Sequence, residues 1–326
     1  MPGEVTVIIP NWNGEARLER VLRSLAGQTH PASRVLVVDN GSTDGSVAAA
    51  TGQGAEVLPL AYNFGFSRAV NEGVRTSRTE WVAIVNNDVV LDCHWLENLL
   101  QACPVDAGYA ACRLLNMSQP AVLDGTFDLL ARSGCAWRAG NGTPDGAPYD
   151  SPRRILFAPF TALLLRRSLF QQVGELDERF ESYLEDVDFC LRCALRGIGG
   201  VYVPEAVARH EGSATLGAWS PRMVRLISRN QVLMIAKHYP PDWPLRMGRA
   251  VLAGQLLWGL LALRHGTGLA WLRGKLEGVR RMQELKPELA PPGVEELLRD
   301  SEIEMQSLQR ATSQDRYWEL YFRWAG

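Results

Sequence analysis

Val5-Thr6-Val7-Ile8-Ile9-Pro10 runs straight into Asn11-Trp12-Asn13-Gly14, so a β-forming apolar stretch stops on a polar turn. A run that short and that continuously apolar reads as a buried strand. Downstream, residues 16–26 place Leu18, Val21, Leu22 and Leu25 at helical spacing, and Val35-Leu36-Val37-Val38 forms a second buried run that ends at Asp39-Asn40-Gly41-Ser42. Residues 56–60 read as a third strand, a helix is expected from about Ser67, and Trp81-Val82-Ala83-Ile84-Val85 is a fourth strand ending at Asn86-Asn87-Asp88; residues 108–113 add another. Short apolar β runs alternating with helices predict an α/β fold, with a mostly parallel central sheet covered by helices. Such sheets bind ligands outside the carboxyl ends of their strands. Asn11, Asp39 and Asp88 stand at three of those ends.

The remainder is less regular. Residues 116–154, rich in Gly, Asp, Pro and Ser, read as a partly irregular insertion able to cover a cleft. Residues 155–166 have strand character, 168–173 suggest a short helix entered through Ser168, and 185–196 a helix packed through Val187, Cys190, Leu191, Ala194 and Leu195. Val201-Tyr202-Val203 reads as a short strand leading to His210. Beyond Pro221 the chain turns helical. The run 251–263 is apolar almost all round, with Arg249 and Arg264 at its ends, but falls short of the roughly 20 residues of a bilayer span. A buried helix and a helix lying on a membrane surface both fit it. Pro287 and Pro291-Pro292 mark a break, and the terminal aromatics Tyr317, Trp318, Tyr321, Phe322 and Trp324 are expected to dock.

Composition narrows the function classes. With 326 residues, 46% of them hydrophobic, the chain can bury one large α/β domain and a smaller helical region. A formal net charge of -2 gives no bulk attraction to nucleic acid. Lysine stands only at Lys237, Lys275 and Lys286, leaving an arginine excess that suits phosphates and equally follows from coding bias. Cys190 and Cys193 form a C-x-x-C pair with no second close pair to complete a zinc site, so core packing is their better reading. The amino terminus lacks a basic leader and a cleavage site, which points to a cytoplasmic chain. No G-x-G-x-x-G follows the first strand and no G-x-x-x-x-G-K-[ST] exists, so a nucleotide would be held by side chains and loop amides.

Several carboxylates are candidates for chemistry. Asp39 and Asp44 flank a small-residue turn, where a strand-end carboxylate can accept from a base or ribose, or simply cap the next helix. Asp88, beside Asn86, Asn87 and Asp92, suits a hard divalent cation held against a diphosphate, and serves equally as a helix cap. Glu185, Asp186 and Asp188 open a helix, where its dipole welcomes negative charge. Asp186 and Asp188, two apart, cannot share a helix face and should have different tasks. One of them taking a proton from a hydroxyl would serve a single-displacement transfer. His210, in Arg209-His210-Glu211-Gly212-Ser213, lacks the apolar neighbours of a core histidine, which suits metal or phosphate contact.

In order along the chain, Val7-Ile8-Ile9-Pro10-Asn11-Trp12-Asn13-Gly14, Val37-Val38-Asp39-Asn40-Gly41-Ser42-Thr43-Asp44-Gly45-Ser46, Asn63-Phe64-Gly65-Phe66-Ser67-Arg68-Ala69-Val70-Asn71, Asn86-Asn87-Asp88-Val89, residues 173–180, residues 183–192, His210-Glu211-Gly212-Ser213, Arg229-Asn230 and Lys237-His238-Tyr239-Pro240 resemble family 2 glycosyltransferases, especially their bacterial rhamnosyltransferase-like branch. The likeness covers about residues 4–240. It implies a GT-A type fold (the nucleotide-diphospho-sugar transferase fold) in a catalytic domain at 1–240, with nucleotide-sugar binding mainly in 1–115 and the acceptor and base region mainly in 155–215. A helical extension at 241–326 would follow, free to meet a membrane surface or a second copy.

The same resemblance implies an inverting transfer from a dTDP- or UDP-sugar, rhamnose first, onto a hydroxyl of a glycan acceptor in polysaccharide or glycolipid assembly. The C-terminal apolar helix and its arginines would suit a lipid-linked glycan at the inner face of a membrane, and would suit a dimer interface just as well. It assigns the donor to Pro10, Asn11, Asn13, Asp39, Asn40, Gly65, Arg68, Asn71 and Asn87, and Mg2+ or Mn2+ to Asp88 and His210. Asp88 matches the last acid of the D-x-D motif, while Asn86 stands at its first acid and Asn87 at its middle. Asp186 matches the catalytic base, with Glu185 and Asp188 orienting it or the acceptor, and Arg192 four residues on from Asp188. A nucleotidyltransferase of similar fold and a noncatalytic nucleotide-sugar-binding scaffold are the rival readings.

Overall fold

The computed structural model describes residues 3–212, 217–285, 293–312 and 315–326; Ser213, Lys286 and the break at Pro287 and Pro291-Pro292 lie outside them. Two compact units form, Met1–Phe127 with Gly140–Gly212, and Asp128–Ala139 with Ser213–Gly326.

In the first unit, β1 (Val5–Asn11), α1 (Glu15–Ala26), β2 (Arg34–Asp39), α2 (Ser46–Gly52), β3 (Glu56–Pro59), α3 (Phe66–Thr76), β4 (Trp81–Val85), β5 (Val89–Leu91), α4 (Trp95–Ala102), β6 (Tyr109–Asn116) and β7 (Leu123–Gly125) follow in order. The strands β8 (Asp128–Leu130) and β9 (Ala136–Arg138) pair with each other and belong to the second unit. The chain then returns through β10 (Arg153–Ile155), β11 (Ala162–Arg166), α5 (Leu169–Gln172), α6 (Glu185–Ala194) and β12 (Gly200–His210).

The sheet runs β10-β12-β6-β11-β4-β1-β2-β3, with β5 on β12 and β7 on β6. Strands β3, β2, β1 and β4 are parallel, β11 is antiparallel between β4 and β6, and β12 is parallel to β6. β1 is apolar throughout because both its faces are covered. Val7 and Ile9 join Leu18, Val21 and Leu22 of α1 and Trp95 and Leu99 of α4 in one core, while Ile8 packs on α3 at Gly73.

Three sequence expectations are refined. Residues 116–154 consist largely of turns but also carry short strands: β7 extends the sheet, and Phe127 and Tyr149 are buried. The apolar run 155–166 is not one strand, because Pro159 lies in a buried loop that carries Phe157 and Phe160 between β10 and β11. The short strand at 201–203 extends to His210, with an irregularity between Val203 and Val207 where Pro204 cannot donate to the ladder.

The second unit holds α7 (Pro221–His238), α8 (Trp243–Arg246), α9 (Gly248–Arg264), α10 (Gly268–Arg281), α11 (Val294–Thr312) and α12 (Arg316–Ala325). Glycines let α10 lie close on α7: a Cβ on Gly274 would stand 2.3 Å from the Arg225 carbonyl oxygen. That packing groups α7 with the C-terminal helices, so the compact units divide well before residue 240. The terminal aromatics dock in part. Trp318 and Tyr321 are buried, and the Tyr317 hydroxyl donates to the Gly254 carbonyl at 3.0 Å. Cys190 and Cys193 are buried in α6, with the Cys190 thiol donating to the Ala158 carbonyl at 3.8 Å. No helix among the described residues is long and apolar enough to cross a membrane.

Candidate active site

At the carboxyl ends of β1, β2 and β4 the polar residues bond to one another. Asn87 Nδ2 donates to Asn11 Oδ1 at 2.7 Å, and Asn11 Nδ2 donates to Asp39 Oδ1 at 3.3 Å. Asp39 Oδ2 accepts from the Ser42 amide at 3.0 Å, while Asn13 Oδ1 accepts from the Thr43 amide at 2.8 Å. Gly14 makes this turn fit, since a Cβ there would lie 2.3 Å from Asn87 Nδ2. Pro10, one residue earlier, pairs in register with Val38. Asp44 receives the Glu15 and Ser46 amides at the starts of α1 and α2, which is the capping alternative.

Asn40 leads to a second cluster. Its Nδ2 donates to Asn63 Oδ1 at 3.1 Å and to the Gly65 carbonyl at 3.0 Å. Gly65, at φ +94, passes so close to the 181–182 loop that a Cβ would be 2.8 Å from the Glu181 carbonyl oxygen. Arg68 pairs with Glu178 at 3.0 Å and Glu72 at 2.8 Å. Asn71 has a different task from the one expected. It is fully buried, with Nδ2 donating to the Leu176 carbonyl and Oδ1 accepting the Leu176 amide, so it joins α3 to the 176–178 segment instead of facing a ligand.

Asp88 and His210 come together because β5 and β12 pair antiparallel with Val89 opposite His210. The Glu211 amide donates to the Asp88 carbonyl at 3.0 Å and locks the register. Nε2 of His210 stands 3.3 Å from Asp88 Oδ1 without the alignment of a hydrogen bond, and that oxygen is buried with no hydrogen-bond partner among the described residues. A buried carboxylate oxygen left unsatisfied is costly unless a ligand completes it.

The other ring nitrogen, Nδ1, is 2.7 Å from Asp124 Oδ2. Burial alone would lower the imidazole's pKa, but the hydrogen bond to Asp124 and the charge of Asp88 outweigh it and push the ring up to about 9. Sequence reasoning missed Asp124. It lies in a three-residue strand too short for any periodicity to show, inside a segment marked only by its Gly, Asp, Pro and Ser content.

α6 opens after a strained approach in which Glu181, Tyr183 and Leu184 hold φ values of 60, 71 and 67. Such non-glycine conformations cost energy and cluster at functional sites. Asp186, partly exposed, accepts from the Val187 amide at 2.8 Å with Oδ1 and from the Phe160 amide at 3.4 Å with Oδ2. The next residue, Thr161, accepts the Asn86 amide at 2.8 Å, so one loop ties Asp186 to the Asn86-Asn87-Asp88 turn. Glu185 is buried at the first helical position.

Asp188 is paired with Arg192 four residues on. It is fully buried and held by Arg192 Nε at 3.0 Å, and Arg192 donates in turn to the carbonyls of Val173, Gly174 and Glu175. Through Arg192, Asp188 therefore ties the helix to the turn at residues 173–175. Among the described residues no group of three or more His, Cys, Asp or Glu side chains could by itself hold a metal ion. Asp88 Oδ1 and His210 Nε2 stand 3.3 Å apart, two atoms of the kinds that can ligate a cation whose remaining ligands come from elsewhere.

A mostly parallel sheet with β11 set antiparallel between β4 and β6, and with amides and carboxylates grouped at its strand ends, defines the GT-A class of glycosyltransferase fold. Residues 6–173 match the glycosyl transferase family 2 model, and the chain belongs to that family. It is 29% identical over 282 residues to the pre-mycofactocin glycosyltransferase of Mycobacterium tuberculosis, a match covering 82% of this chain and 54% of that protein. The chain thus spans about half the length of that curated relative.

It is also 29% identical over 280 residues to the N-acetylglucosaminyl-diphospho-decaprenol L-rhamnosyltransferase of the same organism, covering 76% of this chain and 89% of that one. Among solved structures, GalNAc-T7 with UDP, GalNAc and Mn2+ superposes at TM-score 0.61 with 12% identity, over 86% of this chain and 56% of that one. The mannosyltransferase PcManGT of Pyrobaculum calidifontis, in complex with GDP-Man and Mn2+, gives 0.53 with 15% identity, over 98% and 86%.

Proposed function

We propose that this chain is an inverting glycosyltransferase that moves a sugar, rhamnose first, from a dTDP- or UDP-sugar to a hydroxyl of a glycan or lipid-linked glycan. The observation that carries the reading is the buried, unsatisfied Asp88 Oδ1 facing His210 Nε2 at the end of the central sheet. The 29% identity to a rhamnosyltransferase supports the sugar, and its named acceptor class supports a lipid-linked glycan. The nucleotide-sugars and Mn2+ of the two neighbours support the donor class and a divalent cation.

The residues present fit that cation. Asp88 and His210 Nε2 would hold Mg2+ or Mn2+, and when bound it would offset the charge that builds on the departing diphosphate. Asp124 holds Nδ1 and keeps Nε2 aimed at Asp88. Asp39, Asn11, Asn13 and Asn87 would meet the nucleoside, with Asn40, Gly65 and Arg68 lining the approach. Asp186, oriented by the Phe160 and Val187 amides, would take the proton of the acceptor hydroxyl as its oxygen attacks the anomeric carbon from the face opposite the leaving group. Attack from that face inverts the carbon. Shielding the sugar from water would fall to the loops around the strand ends.

A panel of dTDP-, UDP- and GDP-sugars, assayed for binding and slow hydrolysis with Mn2+, with Mg2+ and with chelator, tests this. Cation-dependent binding of one donor is the expected result. A folded sample that binds none with cation present would leave only a noncatalytic scaffold, and nucleotide-sugar synthesis from a sugar phosphate would favour a nucleotidyltransferase.

A further inference from the structure

Helices α9 and α10 form a hairpin that packs in an inverted sense. Small residues point inward: Gly254 lies against Ser133, and Gly274 and Gly278 lie against α7. Most of the leucines point outward, although Val251 and Leu257 of α9 are buried. Leu252, Leu256, Leu260 and Leu263 form an exposed stripe at helical spacing on α9. On α10, Leu269, Leu272, Leu276 and Val279 form a second one, with Leu269 73% exposed. Leu263 rests on Gly268, so the two stripes meet at the turn. A helix of a water-soluble fold normally buries such a stripe, and a continuous apolar surface of this kind marks an interaction site.

The charges on the hairpin decide among partners. Its sole acid is Glu277, which is engaged by Arg225 and Arg229. The exposed charged side chains are Arg249, Arg264, Arg273 and Arg280, all of one sign. A two-fold pairing of this face with a second copy would set arginine against arginine. A surface with an apolar layer beneath a negatively charged rim has neither difficulty. We infer that the outward face of α9 and α10 docks on the headgroup region of an anionic lipid bilayer, with the leucines entering the acyl boundary and the arginines meeting lipid phosphates.

The test is sedimentation of the full chain with vesicles of phosphatidylcholine alone or with one third phosphatidylglycerol. It needs neither donor nor acceptor, so its failure and a failure of the transfer reading are seen separately. Binding should require phosphatidylglycerol and be released near 1 M salt, where the screening length falls to about 3 Å. The double variants Leu256→Gln/Leu272→Gln and Arg264→Glu/Arg273→Glu should each lose at least about tenfold in vesicle affinity, with unchanged thermal unfolding. Absence of binding by the unaltered chain, binding that both variants retain, or a dimer broken by the leucine changes would overturn the inference. Should the leucine variant fold poorly, the unaltered chain's lipid preference and the arginine variant still decide.

Discussion

Asp124 Oδ2 lies 2.7 Å from Nδ1 of His210, on the opposite side of the ring from Asp88. A carboxylate behind an imidazole fixes its orientation and the tautomer that offers Nε2 to a cation. Asp124→Ala should weaken Mn2+ binding about 10- to 100-fold, and Asp124→Asn, which still accepts a hydrogen bond, by less. Calorimetric titration with Mn2+ in the presence of UDP or dTDP reads both values. Equal affinities in all three proteins would remove Asp124 from the site.

Asp88→Asn should abolish cation-stimulated donor hydrolysis while leaving the fold intact, because its carbonyl still receives the Glu211 amide. The cation must displace a proton, since the flanking carboxylates push His210 up to about 9. Mn2+ affinity should therefore climb by about tenfold per pH unit up to that value and level off above it. A flat profile between pH 6 and pH 9 would exclude the imidazole as a ligand, a range set by its free and raised values of about 6.5 and about 9.

Asp186→Asn should lower kcat by about 100- to 10,000-fold with little change in donor binding. The Phe160 amide can still donate to the asparagine carbonyl, so the loop that links Asp186 to Asn86 should hold. A matching loss of donor affinity would assign Asp186 to binding and not to proton transfer.

Asp188→Ala should act on stability. It strips Arg192 of its partner in a buried site, and breaking such pairs costs about 3 to 5 kcal/mol. A drop in Tm with proportionate loss of activity is expected, and Glu175-region loosening should show as faster amide exchange. A normal Tm with abolished turnover would instead return Asp188 to the chemistry.

Lys275 supplies a pH effect in the second unit. Burial lowers its ammonium from 10.5 to about 7, although it donates to Gln231 at 2.7 Å and to Gln255. Its folded pKa is depressed, so below about 7 the folded chain carries the full penalty of a buried charge. That penalty fades as pH rises toward the unfolded value. Relative to Lys275→Met, the unaltered chain should gain Tm between pH 7 and pH 10. Parallel Tm profiles would show that the lysine is solvated.

Local sequence determined the strands that end at Asn11, Asp39 and Asp88, the helices after them, and the acids that open α6. In each case an apolar run long enough to show its period stops abruptly on a polar residue, and that contrast survives without knowledge of any partner. The motifs around those residues likewise carried the family. Tertiary structure decided what no local pattern could. Asp124 meets His210, 86 residues away, only because β7 and β12 both pair with β6. Asn71 looks like a ligand-facing residue in sequence but is buried against the distant Leu176 backbone, and Asp188 is buried against Arg192, which in turn holds the distant 173–175 carbonyls. The apolar run in α9 is compatible by sequence with burial and with a membrane surface. Its small residues turn inward, and Leu252, Leu256, Leu260 and Leu263 turn outward, because neighbouring helices approach closely only where side chains are small. Polarity along a chain shows what each residue needs. Which of those needs the fold meets from within depends on long-range pairing.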